Sequence, residues 1–322
     1  MYRVFIFLSI FLICNSLFSQ IDLYRDTSVN VIENNKSFKN AWASGINAAQ
    51  FNEIDLDLDG TMDLVVFDKS GNKLIPYLNK NGKFVFAPKY RSYFPELHDW
   101  VIFEDYNCDG KKDIYTYTSG GLGIYKTTSS SVLSFTLVTD LVLSDYGGPN
   151  PINIFISAVD VPAVSDVDYD GDLDILTFKI TGGFIEYHKN MAMEQTGNCD
   201  TVIFQLEESC WGNFYEGLNN YTLNCQNCQC PPIINHPNAK QKHAGSTLLL
   251  IDIDNDYDKD IVLGDISFSN LNLLINGGDS TNANMISVDS IFPANNLNTI
   301  PASMDIFPAA YYIDASNDGI KD

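Results

Sequence analysis

The chain has 322 residues, and its 41 Asp and Glu against 19 Lys and Arg give a formal net charge of −22. This acidic balance excludes a basic face of the kind that binds nucleic acid. Aromatic residues make up 12% of the chain, in agreement with a β-rich exported domain.

The N-terminal residues predict export. Residues 1–3 supply a positive charge, residues 5–14 form an apolar core, and a short polar exit follows. We therefore predict a signal peptide over residues 1–19 and a lead-in segment over residues 20–40. The apolar stretch is short for a membrane span, and no later segment is long and apolar enough for one. The mature chain is predicted to be secreted or held at the cell surface, without a transmembrane segment.

An acidic pattern of nine residues then occurs five times, beginning at residues 55, 105, 166, 252 and 314. Oxygen-bearing side chains recur at positions 1, 3, 5 and 9 of each copy. Such side chains converge in a tight turn and suit a hard cation such as Ca²⁺, which prefers oxygen ligands. Glycine at position 6 lets the backbone fold back, and the residue at position 7 can then offer its carbonyl. The fourth copy has Tyr257 in place of the glycine.

Two other interpretations of these loops were weighed. A single copy could be a solvated turn, since Asp, Asn and Gly favour turns, but five copies in one register favour metal binding. An EF-hand needs a Glu at loop position 12 and a helix on each side. Position 12 here is valine, threonine or leucine in the first four copies, and flanking runs such as 51–54 and 64–67 are typical of strands. The loops are therefore predicted to join two strands.

A second repeated feature supports a common repeat. Asn79, Asn190 and Asn276 each stand 24 residues after the first Asp of their copy and end an apolar run that predicts a third strand. The second copy differs, with Ser129 at the equivalent place. Four-stranded units of roughly 40–60 residues are typical of propeller blades. Separate small β-domains are a weaker interpretation, because a lone four-stranded sheet cannot bury both faces.

The loop motif, its following strands and the Asn-containing turn resemble the VCBS/FG-GAP repeat over about residues 41–322. This resemblance implies an all-β fold, an integrin-alpha-type β-propeller of four-stranded blades with Ca²⁺ in its loops, and secretion of the bacterial type. About four blades and the first strand of a fifth (311–313) are expected. Because such propellers are often seven-bladed, a fragment or a truncated product is the expectation.

The family pattern implies about one Ca²⁺ per loop. Side chains at positions 1, 3, 5 and 9 and the carbonyl at position 7 would be the ligands. The implied ligands are Asp55, Asp57, Asp59, Thr61 and Asp63; Asp105, Asn107, Asp109, Lys111 and Asp113; Asp166, Asp168, Asp170, Asp172 and Asp174; Asp252, Asp254, Asp256, Asp258 and Asp260; and Asp314, Ser316, Asp318, Ile320 and Asp322.

The cysteines fit export as well. Five of them crowd into a segment of about residues 191–236, which predicts an insertion on the third blade held by two disulfides. The alternative is a zinc site at Cys225, Cys228 and Cys230. The fifth cysteine of the segment could pair with Cys108 or stay unpaired. The disulfide candidates are Cys108, Cys199, Cys210, Cys225, Cys228 and Cys230.

No catalytic constellation is visible in the sequence. None of the four histidines (His98, His188, His236, His243) sits in a recognised nucleophile motif, and metal ligation already explains the acidic clusters. We therefore predict a non-enzymatic binding or adhesion module for an extracellular protein or glycan. The alternatives are the propeller domain of an extracellular carbohydrate-active or lipid-cleaving enzyme, and a structural spacer in a larger surface protein.

Overall fold

The computed structural model describes residues 26, 28–43, 45–129, 131–230, 246–294, 298–305 and 307–322. The predicted signal peptide lies outside the described residues, as do His236 and His243. The chain divides into two units, 1–42 and 43–322. The described part of the first unit contains the hairpin of β1 (Ile32–Glu33) and β2 (Lys36–Ser37). Asn34 and Asn35 form its turn with φ of 50° and 60°, a conformation that Asn tolerates well.

The second unit begins with a four-stranded antiparallel sheet that contains the first acidic loop. Its strands are β3 (Ala49–Ile54), β4 (Asp63–Asp68), β5 (Lys73–Asn79) and β6 (Phe84–Phe86). Burial alternates along β3, as expected for a strand with one covered face. A 3₁₀ turn at Lys69–Gly71 joins β4 to β5. The acidic loop joins the two strands β3 and β4, as predicted.

The second sheet repeats this order after a 3₁₀ segment at Pro88–Tyr93. Its strands are β7 (Val101–Glu104), β8 (Asp113–Thr118), β9 (Gly121–Thr127) and β10 (Phe135–Thr139). The second acidic loop joins β7 to β8. The two sheets therefore have the same topology, loop for loop.

The third sheet is larger, with six strands in the order β12-β11-β16-β15-β14-β13. These strands are β11 (Leu143–Asp145), β12 (Ile152–Asn153), β13 (Ala163–Ser165), β14 (Asp174–Phe178), β15 (Ile185–Asn190) and β16 (Phe204–Glu208). The short helix α1 (Ala192–Thr196) connects β15 to β16. Strand β11 pairs in parallel with β16 and so extends the sheet beyond its fourth strand.

The predicted insertion at 191–236 divides into two parts. Residues 191–208 supply α1 and β16, which belong to the third sheet. The cysteine-rich part follows, with a hairpin of β17 (Phe214–Glu216) and β18 (Tyr221–Leu223) between 3₁₀ turns at Trp211–Asn213 and Gln226–Cys228. Residues 231–236 lie outside the described part of the chain.

All six cysteines after Cys14 form disulfides. Cys210 pairs with Cys228 and Cys225 with Cys230, which confirms two disulfides in the cysteine-rich part. The remaining pair, Cys108–Cys199, joins the second acidic loop to the connection between α1 and β16. The alternative zinc site at Cys225, Cys228 and Cys230 is wrong, because disulfide sulfurs are not the thiolates that zinc requires.

The fourth sheet is again four-stranded and antiparallel. Its strands are β19 (Ser246–Ile251), β20 (Asp260–Asp265), β21 (Leu271–Asn276) and β22 (Met285–Phe292). The prediction of a further strand at 311–313 is wrong, since the described residues after β22 form no strand ladder. In each of the four sheets the strand before the acidic loop pairs with the strand that follows it.

The four sheets pack as the blades of a β-propeller. Buried residues form a continuous cluster between the first and second sheets, another between the second and third, and another between the third and fourth. The first strand of every sheet (β3, β7, β13 and β19) lines one central cavity, together with residues 309–313. The predicted all-β, four-bladed propeller is therefore confirmed.

Polar contacts link the inner strands of neighbouring blades. The side chain of Gln50 on β3 accepts from the Val101 N–H at 2.7 Å and donates to the Asp99 carbonyl at 3.1 Å. Residues 308–322 lie between the fourth and first sheets. Thr247 Oγ1 donates to the Pro308 carbonyl at 2.9 Å, and Asn79 Nδ2 on the first sheet donates to Asn317 Oδ1 in the fifth loop at 2.6 Å.

Candidate metal-binding loops

The first carboxylate of each acidic loop holds the turn together. In the first loop, Asp55 accepts from the N–H groups of Asp59 at 3.1 Å and Gly60 at 2.8 Å. The second, fourth and fifth loops repeat both bonds, and the third has the bond from Gly171 to Asp166 at 3.1 Å. The turn therefore needs an acidic group at its first position.

The fifth position also bonds the turn, in all five loops. Its carboxylate accepts from the N–H of the seventh residue at 2.9–3.2 Å. The five donors are Thr61, Lys111, Asp172, Asp258 and Ile320, on Asp59, Asp109, Asp170, Asp256 and Asp318. Since these bonds use the N–H, the carbonyls of the seventh residues remain available to a cation.

The ninth carboxylate ties the loop to the strands beside it. Asp63 accepts from the Leu56 N–H at 2.8 Å and from the Asn79 N–H, at the end of β5, at 2.6 Å. Asp113, Asp174 and Asp260 make the same pair of bonds. In the fifth loop, Asp322 accepts from the Ser316 N–H at 2.8 Å.

Burial changes the acidity of these ninth carboxylates. Loss of solvent raises the pKa of Asp113 to about 6 and that of Asp174 to about 8, although two N–H donors on each carboxylate oppose the shift. Such buried carboxylates carry a charge at neutral pH at a cost, and a bound divalent cation would offset that cost.

In the second repeat, the residue at the end of the third strand is not the one that the sequence predicts. The sequence register pointed to Ser129, but the N–H that bonds Asp113 Oδ1 belongs to Thr127, at 2.6 Å. The Thr127 hydroxyl donates to the carbonyl of Lys112, as the Asn79 amide does to the carbonyl of Met62. Thr127 is therefore the counterpart of Asn79, two residues earlier than predicted. The sequence did not reveal it, because the bond to the ninth carboxylate comes from a backbone N–H, which every residue except proline has.

Backbone strain confirms the need for glycine at the sixth position. Gly60, Gly110, Gly171 and Gly319 have φ between 82° and 104°. Tyr257 takes the same place in the fourth loop with φ of 70°, which a residue with a Cβ adopts at a cost. The fourth loop therefore keeps the turn of the others under greater strain.

The structure brings predicted ligands together in three loops. Carboxylate oxygens of the first, third and ninth residues lie within 4.8 Å of one another there. These triads are Asp55, Asp57 and Asp63; Asp166, Asp168 and Asp174; and Asp252, Asp254 and Asp260. In the second and fifth loops, Asn107 and Ser316 replace the third carboxylate, while Asp105, Asp109, Asp113, Asp314, Asp318 and Asp322 keep their places.

Several loop carboxylates carry a buried oxygen with no hydrogen-bond partner among the described residues. They are Asp57 Oδ1, Asp166 Oδ1, Asp168 Oδ1, Asp172 Oδ1 and Asp258 Oδ1. Buried polar atoms are normally satisfied, so these oxygens indicate a missing positive partner. An all-oxygen donor set of this kind fits Ca²⁺.

Lysines contact the outer carboxylate oxygens of the first three loops, each from the end of the third strand. Lys80 Nζ lies 2.6 Å from Asp57 Oδ2 and 3.4 Å from Asp59 Oδ2. Lys126 Nζ lies 3.8 Å from Asp109 Oδ2. Lys189 Nζ contacts Asp168 and lies 3.2 Å from Asp170 Oδ2.

The third loop has a further acidic neighbour that sequence reasoning missed. Glu194 on α1 contacts Lys189, and carboxylate oxygens of Glu194, Asp168 and Asp170 lie within 4.8 Å of one another. It stands outside the nine-residue register, and only the return of the chain through α1 brings it to the loop. Its place in the first turn of a helix gave no signal of that contact.

A serine and a histidine that are distant in sequence meet inside the third sheet. Ser144 Oγ on β11 and His188 Nδ1 on β15 are 2.9 Å apart, and Glu186 lies 3.6 Å from the other ring nitrogen. Both Ser144 and His188 are 0% exposed. A nucleophile must be reachable by its substrate, so this buried pair is a structural contact of the extended sheet.

The fold and the loops together define a class, a four-bladed β-propeller with an acidic turn between the first two strands of each blade. The family described as FG-GAP-like repeat matches residues 55–116, which span the first acidic loop to the middle of β8. Residues 55–116 are therefore an FG-GAP-like repeat within a chain of this β-propeller class.

Among solved structures, a lectin from Agrocybe aegerita, described as recognising non-reducing terminal N-acetylglucosamine, is similar at 14% identity and a TM-score of 0.38. The match covers 76% of this chain and 67% of the lectin. No curated protein sequence matches. Within the described residues, no helix has the length and apolar character to span a membrane.

Proposed function

We propose that this protein is an exported, Ca²⁺-stabilised β-propeller that acts as a non-enzymatic binding or adhesion module for a protein or glycan. About one Ca²⁺ would occupy each acidic loop. The observation that carries the metal part of the proposal is the set of buried carboxylate oxygens without partners, which lie in loops of one repeated geometry.

In this proposal, each acidic side chain of a loop has a defined structural role. When bound, Ca²⁺ would supply positive charge to the converging carboxylates. Asp55, with its equivalents, orients the turn through two N–H donors, and Asp63, with its equivalents, fixes the loop to the ends of two strands. A cation held by both groups would fasten the first three strands of a blade to one another.

Export is supported by cysteine chemistry. Three disulfides connect all six cysteines after Cys14, and disulfides persist in oxidising compartments. Extracellular Ca²⁺ modules bind at roughly 10⁻⁴–10⁻³ M, so loops of that affinity would fill outside the cell. The signal peptide predicted over residues 1–19 agrees with this location.

A binding function is supported by the structural roles of the polar groups that could otherwise suggest catalysis. The acidic clusters serve the turns, and the Ser144–His188 pair is out of reach of a substrate. A propeller also offers loops on a rigid scaffold, which is the usual setting of binding residues.

The test is binding of the purified chain to a glycan array and to immobilised extracellular-matrix proteins, in 2 mM Ca²⁺ (about physiological) and in EGTA. We expect selective retention on at least one glycan or protein in Ca²⁺ and its loss in EGTA. Release of cleaved products from a glycan or lipid panel would instead establish an enzyme. Absence of retention in both buffers would contradict the binding function and favour a structural spacer.

A further inference from the structure

The central cavity of the propeller has a volume of about 370 Å³. Side chains of the inner strands alternate between it and the spaces between blades. Phe51 and Glu53 on β3 and Leu249 and Ile251 on β19 are partly exposed at positions that line it, while their neighbours are buried. The volume is within the range of small-molecule sites, roughly 300–1,000 Å³.

Three lysines line this cavity from equivalent places in the chain. Lys112, Lys259 and Lys321 are the eighth residues of the second, fourth and fifth acidic loops. Met62 and Leu173 hold the eighth position in the other two loops. The turn thus repeatedly places its eighth residue near the cavity, and three of the 19 basic residues of an acidic chain are gathered there.

Two of these three ammonium groups have no carboxylate partner. Lys112 pairs with Glu104 at 2.5 Å. Among the described residues, no carboxylate lies within ion-pair distance of Lys259 or Lys321, whose Nζ atoms lie 4.3 Å and 5.3 Å from the ring centres of Tyr169 and Tyr312. Asp166 and Asp252 act on Lys259 from beyond ion-pair distance. An ammonium group whose close contact is an aromatic ring can still bind an anion.

The negative groups of the cavity wall are already engaged. Glu104 pairs with Lys112, and Glu53 Oε1 accepts from the Asp314 N–H at 3.3 Å. Asp252 holds the fourth acidic turn through two N–H donors. Each of these carboxylates thus has a donor of its own, and among the described residues Lys259 and Lys321 are the two ammonium groups of the cavity wall that are outside an ion pair.

A buried hydroxyl at the same cavity also lacks a partner. The Tyr311 hydroxyl has no hydrogen bond among the described residues, although its oxygen is buried. Its ring packs edge-on against Phe51 at 5.5 Å, which fixes the side chain against the cavity wall. An unsatisfied buried hydroxyl indicates a hydrogen-bond partner that the protein itself does not provide.

We propose that the central cavity binds a small organic anion with an apolar body. Lys259 and Lys321 bind its carboxylate or sulfonate head, and the Tyr311 hydroxyl donates a hydrogen bond to it. Leu249 and Ile251 contact the body of the ligand. This site goes beyond the proposed function, because it lies inside the propeller and needs no macromolecular partner.

The test compares 4-phenylbutyrate with its neutral amide by calorimetry, on the whole chain in Ca²⁺ at low salt. The two compounds share an apolar body and differ in the charge of the head. We expect the acid to bind about tenfold more tightly than the amide, as is typical of a hydrogen bond to a charged group. Equal affinities, or no binding of the acid, would overturn the proposal. The difference in affinity between the acid and the amide does not measure Ca²⁺ binding. The anion site and the Ca²⁺-dependent binding function can therefore fail independently of each other.

Variants locate the site. Lys259→Met and Lys321→Met should each lower the affinity for 4-phenylbutyrate about tenfold, and Tyr311→Phe about threefold. Lys259→Arg should keep the affinity, which separates loss of charge from a folding defect, and melting curves in Ca²⁺ check the fold of each variant. The control is Lys83→Met, an exposed lysine between β5 and β6 that does not line the cavity. Unchanged affinity in both Lys259→Met and Lys321→Met would contradict the proposal.

Discussion

The third and fourth acidic loops share one register but differ in whether a lysine contacts their carboxylates. In the third loop, Lys189 contacts three carboxylates, and the Asp168 side chain is only 9% exposed. In the fourth loop, no lysine contacts a carboxylate among the described residues, and the strained Tyr257 is 78% exposed. The third loop thus has an ammonium group of its own beside its carboxylates, whereas the fourth loop has none among the described residues.

Removal of Ca²⁺ should give the largest effect and separate the two loops. Each occupied loop contributes roughly 1–3 kcal/mol of stabilisation at saturating Ca²⁺, so EGTA should lower the melting temperature by more than about 10 °C. Hydrogen exchange should then rise more around the fourth loop than around the third. An unchanged melting temperature would contradict the Ca²⁺ sites, and equal exchange in both loops would contradict the comparison.

Loss of the third carboxylate should act differently in the two loops. Asp168→Ala should remove one bound Ca²⁺ and also lower the free energy of unfolding of the metal-free protein by about 1–2 kcal/mol, because Lys189 loses a partner. Asp254→Ala, its matched control, should remove one Ca²⁺ but change metal-free stability by no more than about 0.5 kcal/mol. Calorimetric Ca²⁺ counts and denaturant titrations in EGTA measure both effects. Equal losses of metal-free stability would sink the distinction.

Removal of the lysine should strengthen Ca²⁺ binding in the third loop. Lys189→Met takes away a positive charge beside the carboxylates, and we expect the affinity of that loop to rise about fivefold. Metal-free stability should fall, since Asp168, Asp170 and Glu194 then repel one another. Lys80→Met is the control, because its ammonium is more exposed and should matter less. A weaker Ca²⁺ affinity in Lys189→Met would show that the lysine orients the ligands instead.

The pH dependence of stability should reverse between the metal-free and Ca²⁺-bound states. Burial raises the pKa of Asp174 to about 8 and that of Asp258 to about 7, while Asp titrates near 4 in an unfolded chain. Between these values the metal-free folded state binds more protons than the unfolded state, so its free energy of unfolding falls as pH rises from about 5 to 8. With Ca²⁺ present, protons compete with the ion and stability should rise with pH. Melting curves across this pH range, with and without Ca²⁺, test both slopes; parallel slopes would contradict the prediction.

The smallest expected effect concerns the sixth position. Tyr257→Gly should relieve the left-handed strain of the fourth loop and stabilise the Ca²⁺-bound protein by about 0.5–1 kcal/mol. The mirror variant, Gly60→Ala, should cost about 1 kcal/mol, since only backbone strain opposes a Cβ there and no atom lies within 4 Å of it. Denaturant titrations in Ca²⁺ decide the signs, and a destabilised Tyr257→Gly would mean that the exposed tyrosine makes a contact worth more than the strain.

The acidic turns were predictable because their functional groups are contiguous. Asp55 to Asp63 carry the turn, the site and the flanking strands within one short segment, so five aligned copies reveal register and topology together. The four complete blades follow from this pattern and the spacing of Asn79, Asn190 and Asn276.

Contacts made through tertiary structure were not predictable in this way. Glu194 reaches the third loop through a helix, and the short strand β11 joins the third sheet by parallel pairing with a distant β16. The Ser144–His188 contact depends on that pairing. The role of Thr127 was hidden because it bonds through its backbone. Periodicity in a sequence indicates local secondary structure and carries little information about contacts between residues that are distant in sequence.

The hydrogen bond between Asn79 and Asn317 joins residues 238 positions apart. Contacts between residues so far apart in sequence form late in folding, because closing the long loop between them costs conformational entropy before the contact stabilises the chain. The side of the first blade that carries Phe51 is therefore uncovered until residues 311–317 have been synthesised and have packed against it. Uncovered apolar surface beside a sheet invites aggregation. We expect slow synthesis of the chain to lengthen the time for which this apolar surface is exposed.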